Sequence, residues 1–297
     1  MLFANSNRVW GSISKGDCWI YDLKEKTLKK AGSSFPASSL MFAKFSKNNQ
    51  LLAYVHKFNL YTENVKTGEV KQLTFDGNEK VINGTFDWVY EEEFGMRDGF
   101  RWSPDGDKIA FWHLDATKIR DFYMINNTDS TYSRIIPVPY PKVGERPSGV
   151  KVGIISLSGN NTIWVKLEGS PDDYYIPGLR WVDNDLLLVE QVNRKQNHLN
   201  IYSFKPSTGS LKNIYSESSD TWIDIKYPDI TANNWSQDDL FMTDKNQSFL
   251  RMTETDAWRH IYKINITSGK KTLLTPGDFD VASICAVTDK DLYFIAS

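Results

Sequence analysis

Two kinds of short string recur along this chain, and their order restricts its fold more than any other feature. The first kind is "IYDLKEKTLKK" (Ile20–Lys30), "LYTENVKTGEVKQL" (Leu60–Leu73), "IYSFKPSTGSLKNI" (Ile201–Ile214) and "IYKINITSGKKTLL" (Ile261–Leu274), each an apolar-aromatic strand, a polar turn and a second strand. The second kind is "FSKNNQLLAY" (Phe45–Tyr54), "WSPDGDKIAF" (Trp102–Phe111) and "WVDNDLLLVE" (Trp181–Glu190): an aromatic, a polar turn, then an apolar strand. From Leu40 to Thr74 the two kinds join into four short strands separated by Asn-, Lys- and Gly-containing turns, the layout of one antiparallel four-stranded sheet. A sheet that small cannot bury both its faces alone, so sheets repeating every 40 to 60 residues or so must pack on their neighbours. The spacing predicts an all-β chain of the β-propeller kind. A β-sandwich would show evenly spaced strands without this repeated order. Complete blades are expected to start near Leu40, Gly99, Val150 to Tyr175 and Ile225, with partial ones at both ends, about five to six blades' worth of sequence.

Composition narrows the partners. Aromatics make up 13% of the 297 residues and are spread along the chain, which favours pleated surfaces over helices. The 35 basic and 37 acidic residues nearly cancel and form no long block of one sign, so no nucleic-acid or membrane-surface footprint is present. Cys18 and Cys285 are too few and too far apart for a disulfide framework or a metal-binding pair, and two buried free thiols are expected. No metal or cofactor motif occurs. The chain begins and stops in strand-like sequence ("DLYFIAS" at its end), so both ends read as cuts through a longer protein.

The segment from Gly77 to Asp98 interrupts the repeat between one blade and the next. Within it "DWVYEEEFGMRDG" reads as a short helical insertion carrying Glu91, Glu92 and Glu93, with Asp87 as its N-cap and Gly95 as its stop. Three adjacent carboxylates repel one another. Two explanations follow from the residues: a solvated acidic face at the start of the helix, where the macrodipole favours it, or two carboxylates jointly holding a cation such as an ammonium group.

"DWVYEEEF" followed in order by "WSPDGDKIAF", "VPYPKVGERPSGVKV" (Val138–Val152), "QVNRKQNHLNIY" (Gln191–Tyr202) and "WRHIYKI" (Trp258–Ile264) resembles the N-terminal propeller of the dipeptidyl peptidase IV family. "DWVYEEEF" is the most specific of these motifs. The resemblance implies an eight-bladed propeller joined to a C-terminal α/β-hydrolase domain, in an enzyme that removes N-terminal dipeptides with proline or alanine second. It implies that Glu92 and Glu93 bind the α-amino group of a peptide substrate with a free N-terminus, while Glu91 is structural. It further implies an arginine near the start of the chain that contacts the substrate carbonyl. Gly11 stands where that arginine is expected, with Arg8 three residues earlier, so either Arg8 takes the role or the arginine is missing, at a cost of about 1–3 kcal/mol of binding. Tyr227 falls near a substrate-side contact of the family. His260 and the Asn193, Arg194, Gln196 turn are read as structural.

No G-x-S-x-G nucleophile elbow occurs among the 297 residues, and the family's serine, aspartate and histidine belong to the domain beyond Ser297. This chain alone is therefore not expected to perform serine-triad acyl transfer. By resemblance the protein acts in the periplasm or at the cell surface and forms a homodimer, with no cofactor. The rival reading is a non-catalytic peptide- or protein-binding propeller. A propeller of the prolyl oligopeptidase type is disfavoured, because that type lacks the Glu-Glu insertion.

Overall fold

Every repeated string of the sequence folds as a hairpin, because the polar residues between its strands satisfy the turn's own backbone. The computed structural model describes residues 1–11, 13–159, 161–225, 240–288 and 290–297, and among them the chain forms 24 antiparallel strands and one short helix. In the turns of the second kind of string, the Leu51 amide donates to the Ser46 hydroxyl (3.1 Å) and the Lys108 amide to the Ser103 hydroxyl (2.9 Å). Those hydroxyls donate in turn to Asn48 (2.8 Å) and Asp105 (2.5 Å). In turns of the first kind, Gly68, Gly209 and Gly269 adopt φ of +75°, +71° and +70° and donate to the carbonyls of Asn64, Lys205 and Asn265, each at 2.8 Å. Glycine recurs there because a Cβ disfavours that left-handed conformation.

The chain divides into two compact units, residues 1–164 with 170–173 and residues 165–169 with 174–297. In the first unit, β1 (Leu2–Trp10), β2 (Ile13–Tyr21) and β3 (Leu28–Lys30) form a three-stranded sheet. Next come β4 (Met41–Phe45), β5 (Leu51–His56), β6 (Asn59–Asn64) and β7 (Val70–Gln72), in the order β4-β5-β6-β7. The two sheets share a core of Cys18, Ala31, Leu40, Ala43, Leu52 and Tyr54. In β5 the consecutive residues Leu52, Ala53, Tyr54 and Val55 are all fully buried, and since neighbours on a strand face opposite ways, both faces of this sheet are covered.

A five-stranded sheet completes the unit: β8 (Val81–Asn83), β9 (Phe100–Trp102), β10 (Lys108–Asp115), β13 (Gly149–Ser156) and β14 (Thr162–Trp164), with β10 at its centre. Between β8 and β9 lies the helix α1 (Trp88–Phe94), and between β10 and β13 a separate ribbon of β11 (Asp121–Asn126) and β12 (Arg134–Pro139). The ribbon's side chains stand mostly in solvent, Tyr123 and Ile125 among them. Of the start expected between Val150 and Tyr175, the lower bound lies within β13, where Val150 pairs across from Leu114, and the next sheet begins at Tyr174. Part of the Gly77–Asp98 insertion joins the sheet, since β8 pairs with β10 (His113 opposite Asn83). The β11–β12 ribbon carried no repeat signal, because its strands belong to no repeated string.

In the second unit β15 (Tyr174–Asp183), β16 (Leu186–Asn193), β17 (His198–Lys205) and β18 (Ser210–Ser218) run in sequential order, as do β19 (Phe241–Thr243), β20 (Ser248–Thr253), β21 (His260–Asn265) and β22 (Lys271–Leu273). A final pair, β23 (Val281–Val287) and β24 (Leu292–Ala296), packs on the preceding sheet through Leu250, Ile261 and Val281. The sheet expected near Ile225 thus starts its described strands at Phe241. Of the two cysteines expected to be buried, only Cys18 is, its thiol pushed up to about 11 by desolvation; Cys285 is exposed.

A buried ionic cluster links the two four-stranded sheets of this unit. Arg251 on β20 donates from Nη1 to Glu190 on β16 (2.7 Å) and from Nε to Glu217 on β18 (3.3 Å). Tyr215 (3.0 Å) and Thr253 also donate to Glu217. Two carboxylates thus share one guanidinium away from water. Burial, reinforced by Glu217 and opposed by Arg251, raises the Glu190 carboxyl above its ordinary 4.5. The folded chain therefore holds that proton more tightly than the unfolded chain, so this carboxyl's contribution to stability is fullest below 4.5 and is lost as pH rises toward the raised value.

Removing the shared cation by Arg251→Met is expected to destabilise the fold by about 3–5 kcal/mol in urea unfolding, since it strands two buried carboxylates. Glu190→Gln keeps an acceptor for Arg251 but cannot ionise, so its stability relative to the parent should improve as pH rises above the ordinary carboxyl value of 4.5. A parent-to-variant difference that stays flat with pH would contradict the assignment.

Candidate functional site

The helix α1 exists because both its ends are closed. Asp87, in extended conformation (φ −86°, ψ −177°), accepts the Tyr90 amide on Oδ1 (3.1 Å) and the Ser148 hydroxyl on Oδ2 (2.6 Å). Burial raises the Asp87 carboxyl, against the pull of the Ser148 and Tyr90 hydrogen bonds. At the other end Gly95 turns left-handed (φ 58°, ψ 16°) and, with Met96, donates to the Tyr90 carbonyl. The cap and stop assigned from sequence are both observed. Val89, Tyr90 and Phe94 anchor the helix, Tyr90 stacking on Phe86 at 5.2 Å and Phe86 meeting Trp112 edge-on at 5.3 Å.

The three glutamates do not share a role. Successive residues of a helix diverge by about 100°, so no single face takes all of them. Glu91 points inward, 6% exposed, and its Oε1 accepts the Ile13 amide at 2.9 Å, across 78 positions of sequence. Gly11 presses on the same carboxylate: a Cβ there would lie 2.5 Å from Glu91 Oε1. Glu92 and Glu93 are exposed, and neither forms a hydrogen bond or ion pair with a described residue. They sit in the last turn of α1, which has no basic residue. There the macrodipole opposes anions, by about 0.3–1 kcal/mol each. The pair is solvated, as one of the two sequence readings expects, but at the end of the helix and not at its start; a cation placed against it would relieve both the dipole and the mutual repulsion.

Arg8 lies on β1 opposite Ser14, exposed, and forms no ion pair with the glutamates. What reaches α1 from this hairpin is the β1–β2 turn, through Gly11 and the Ile13 amide. Sequence reasoning missed that contact because a backbone amide carries no residue-type signal. Tyr227 lies outside the described residues. His260 has both ring nitrogens engaged, by Asp256 (2.9 Å) and the Gly277 carbonyl (3.0 Å), which leaves no nitrogen for acid–base work. Asn193 Oδ1 accepts the amides of Asn197 and His198, both at 3.0 Å, and holds its turn as expected.

The family model described as the dipeptidyl peptidase IV (DPP IV) N-terminal region matches residues 1–297. Dipeptidyl peptidase 4 of Trichophyton rubrum is 28% identical over 290 residues, covering 94% of this chain and 36% of the relative. The inactive dipeptidyl peptidase 10 of Rattus norvegicus is 28% identical over 279 residues, covering 88% and 33%. The crystal structure of Porphyromonas gingivalis dipeptidyl peptidase 4 superposes with a TM-score of 0.85 at 27% identity, over 96% of this chain and 39% of that one. This chain belongs to the DPP IV N-terminal region family. It spans about a third of the length of these curated relatives.

The Gly11–Glu91 contact makes a test of the site's packing. Gly11→Ala, at φ +34°, should destabilise the chain by about 1 kcal/mol or more in urea unfolding. Combined with Glu91→Ala, the two losses should sum to less than their separate values, because the carboxylate that the new methyl meets is gone. Strict additivity would show that residue 11 is limited by something else.

Proposed function

We propose that this chain is the substrate-recognition and gating propeller of a dipeptidyl peptidase IV-like serine exopeptidase, one that releases Xaa-Pro and Xaa-Ala dipeptides from peptide N-termini. One observation carries the reading: a doubly capped two-turn helix turns Glu91 inward and presents Glu92 and Glu93 outward without a partner. An α-amino group, with a pKa of about 8, is largely cationic at neutral pH, and two ionised acceptors side by side bind it better than they bind an interior peptide. Such a pair selects chain ends. The sequential four-stranded sheets and the likeness to the P. gingivalis enzyme support reading them as about five to six blades of an eight-bladed ring. A C-terminal α/β-hydrolase domain supplies the nucleophile in this reading, and the whole protein acts in the periplasm or at the cell surface as a homodimer.

The second reading, a non-catalytic peptide- or protein-binding propeller, is favoured by one observation. Gly11, where the family resemblance calls for arginine, has no room for a side chain beside Glu91, and Arg8 does not reach the glutamates. The inactive rat relative shows that non-catalytic members exist among proteins of this similarity.

The two separate in one assay on the longest protein the gene encodes. The first reading expects hydrolysis of a Gly-Pro chromogenic amide, with kcat/KM lowered by about two orders of magnitude or more in Glu92→Ala or Glu93→Ala. N-acetylated substrate should be refused by the parent. Variants within twofold of the parent would sink the ammonium-binding role, and a parent without hydrolytic activity would leave the binding reading in possession.

A further inference from the structure

The first unit contains a second candidate site, built from residues that take no part in the glutamate pair. A pocket of about 550 Å³ opens over the β10–β13 edge, within the range typical of small-molecule sites. Its floor is strand-borne: His113 and Asp115 of β10 face Lys151 and Gly149 of β13 in register. Its walls come from the stretch after β10, which brings Lys118 and Arg120, from the loop with Glu145 and Arg146, and from Ser170 to Asp172. The last segment is fixed to the floor by the Val150 amide, which donates to the Pro171 carbonyl at 3.0 Å.

Charge pairing inside the pocket is uneven. All three lining carboxylates are already engaged: Glu145 by Arg120, Asp172 by Arg146 (2.9 Å), and Asp115 by the Thr117 amide (2.9 Å) and hydroxyl (2.5 Å). Lys118 and Lys151 have no hydrogen bond or ion pair with any described residue, Lys118 only attracting Asp115 at longer range. His113 holds Asn83 through Nδ1 at 2.9 Å, and burial lowers its pKa, with Asp76 and Asp115 opposing and Lys151 adding to the shift. The two arginines are also within call, because their side chains are 81% and 72% exposed, and ion pairs so exposed are worth only about 0–1 kcal/mol.

We propose that this pocket binds a small multivalent oxyanion, of phosphate or polycarboxylate chemistry, gripped by Lys118 from the wall and Lys151 from the floor. Arg120 and Arg146 complete the site by turning from their carboxylate partners to the ligand, a bidentate geometry that guanidinium groups favour. Compactness follows from the volume, and more than one negative charge from the two separate ammonium groups. The Arg146 loop continues into Ser148, the residue that holds the N-cap of α1.

Calorimetric titration of the longest form of the protein with sodium pyrophosphate, and in parallel with citrate, against sodium chloride of matched ionic strength, tests this. Saturable binding of at least one anion is expected, weakened about tenfold or more in the Lys118→Ala/Lys151→Ala double variant and within about twofold of the parent in Lys66→Ala, which removes an exposed lysine elsewhere. The tighter of the two anions assigns the chemistry. Both pocket lysines are exposed and make no contact the fold depends on, so the variants should keep the parent's melting temperature. No saturable heat with either anion would overturn the proposal, and so would equal weakening by Lys66→Ala, which would mark diffuse charge.

Discussion

A four-stranded antiparallel sheet of short strands is too thin to stand alone, and that constraint organises this chain. In β5, in β10 and in β16, runs of consecutive residues are buried (Leu52 to Val55, Ile109 to Trp112, Leu187 to Val192), so both faces of each sheet are covered. Strands of this kind lose the alternation of a half-exposed sheet and read as continuous apolar runs. The stabilisation comes from faces meeting faces, as in the cluster of Cys18, Leu40, Leu52 and Tyr54 between the first two sheets. In the turns, Ser46, Ser103, Asn64 and Asn265 satisfy the backbone locally. Among the buried polar groups, the Arg251–Glu190–Glu217 cluster lies where two sheets of the second unit meet. Its geometry specifies how those sheets align, while its net charge burdens their stability.

The same rigidity gives the short helix α1 its value. Seven residues are too few for a helix to persist by propensity. It is held by the Asp87 cap, by Gly95, by the stacked rings of Phe86 and Tyr90, and by the Glu91 bond to the Ile13 amide. Inward anchoring of one glutamate orients the two that follow it. Placing Glu92 and Glu93 at the negative end of a helix is a local electrostatic conflict that the fold bears.

Much of this was legible in the residues themselves. The two hairpin types were readable because their turns need particular side chains: a hydroxyl or amide to take the backbone amides, and a glycine at positive φ. Asp87 and Gly95 were readable for the same reason, since helix caps are local chemistry. What the residues did not settle was non-local. The sequence left one sheet's start open between Val150 and Tyr175, and only the pairing of β13 with β10 shows that Val150 continues the preceding sheet while Tyr174 opens the next. Cys285 reads like Cys18, and only the packing separates the exposed thiol from the buried one.

By itself the sequence determined the all-β class, the repeated hairpins, the capped helix and the identity of the acidic triplet, because each depends on contacts within a few residues along the chain. The tertiary structure alone decided which glutamate turns inward, that the turn at Gly11 rather than the side chain of Arg8 meets it, and that Lys118 and Lys151 border one pocket. Those facts depend on strands and loops brought together across dozens of positions. No local pattern of residue types encodes such a meeting, since a backbone amide and an unpaired lysine look the same in any context until the fold supplies their neighbours.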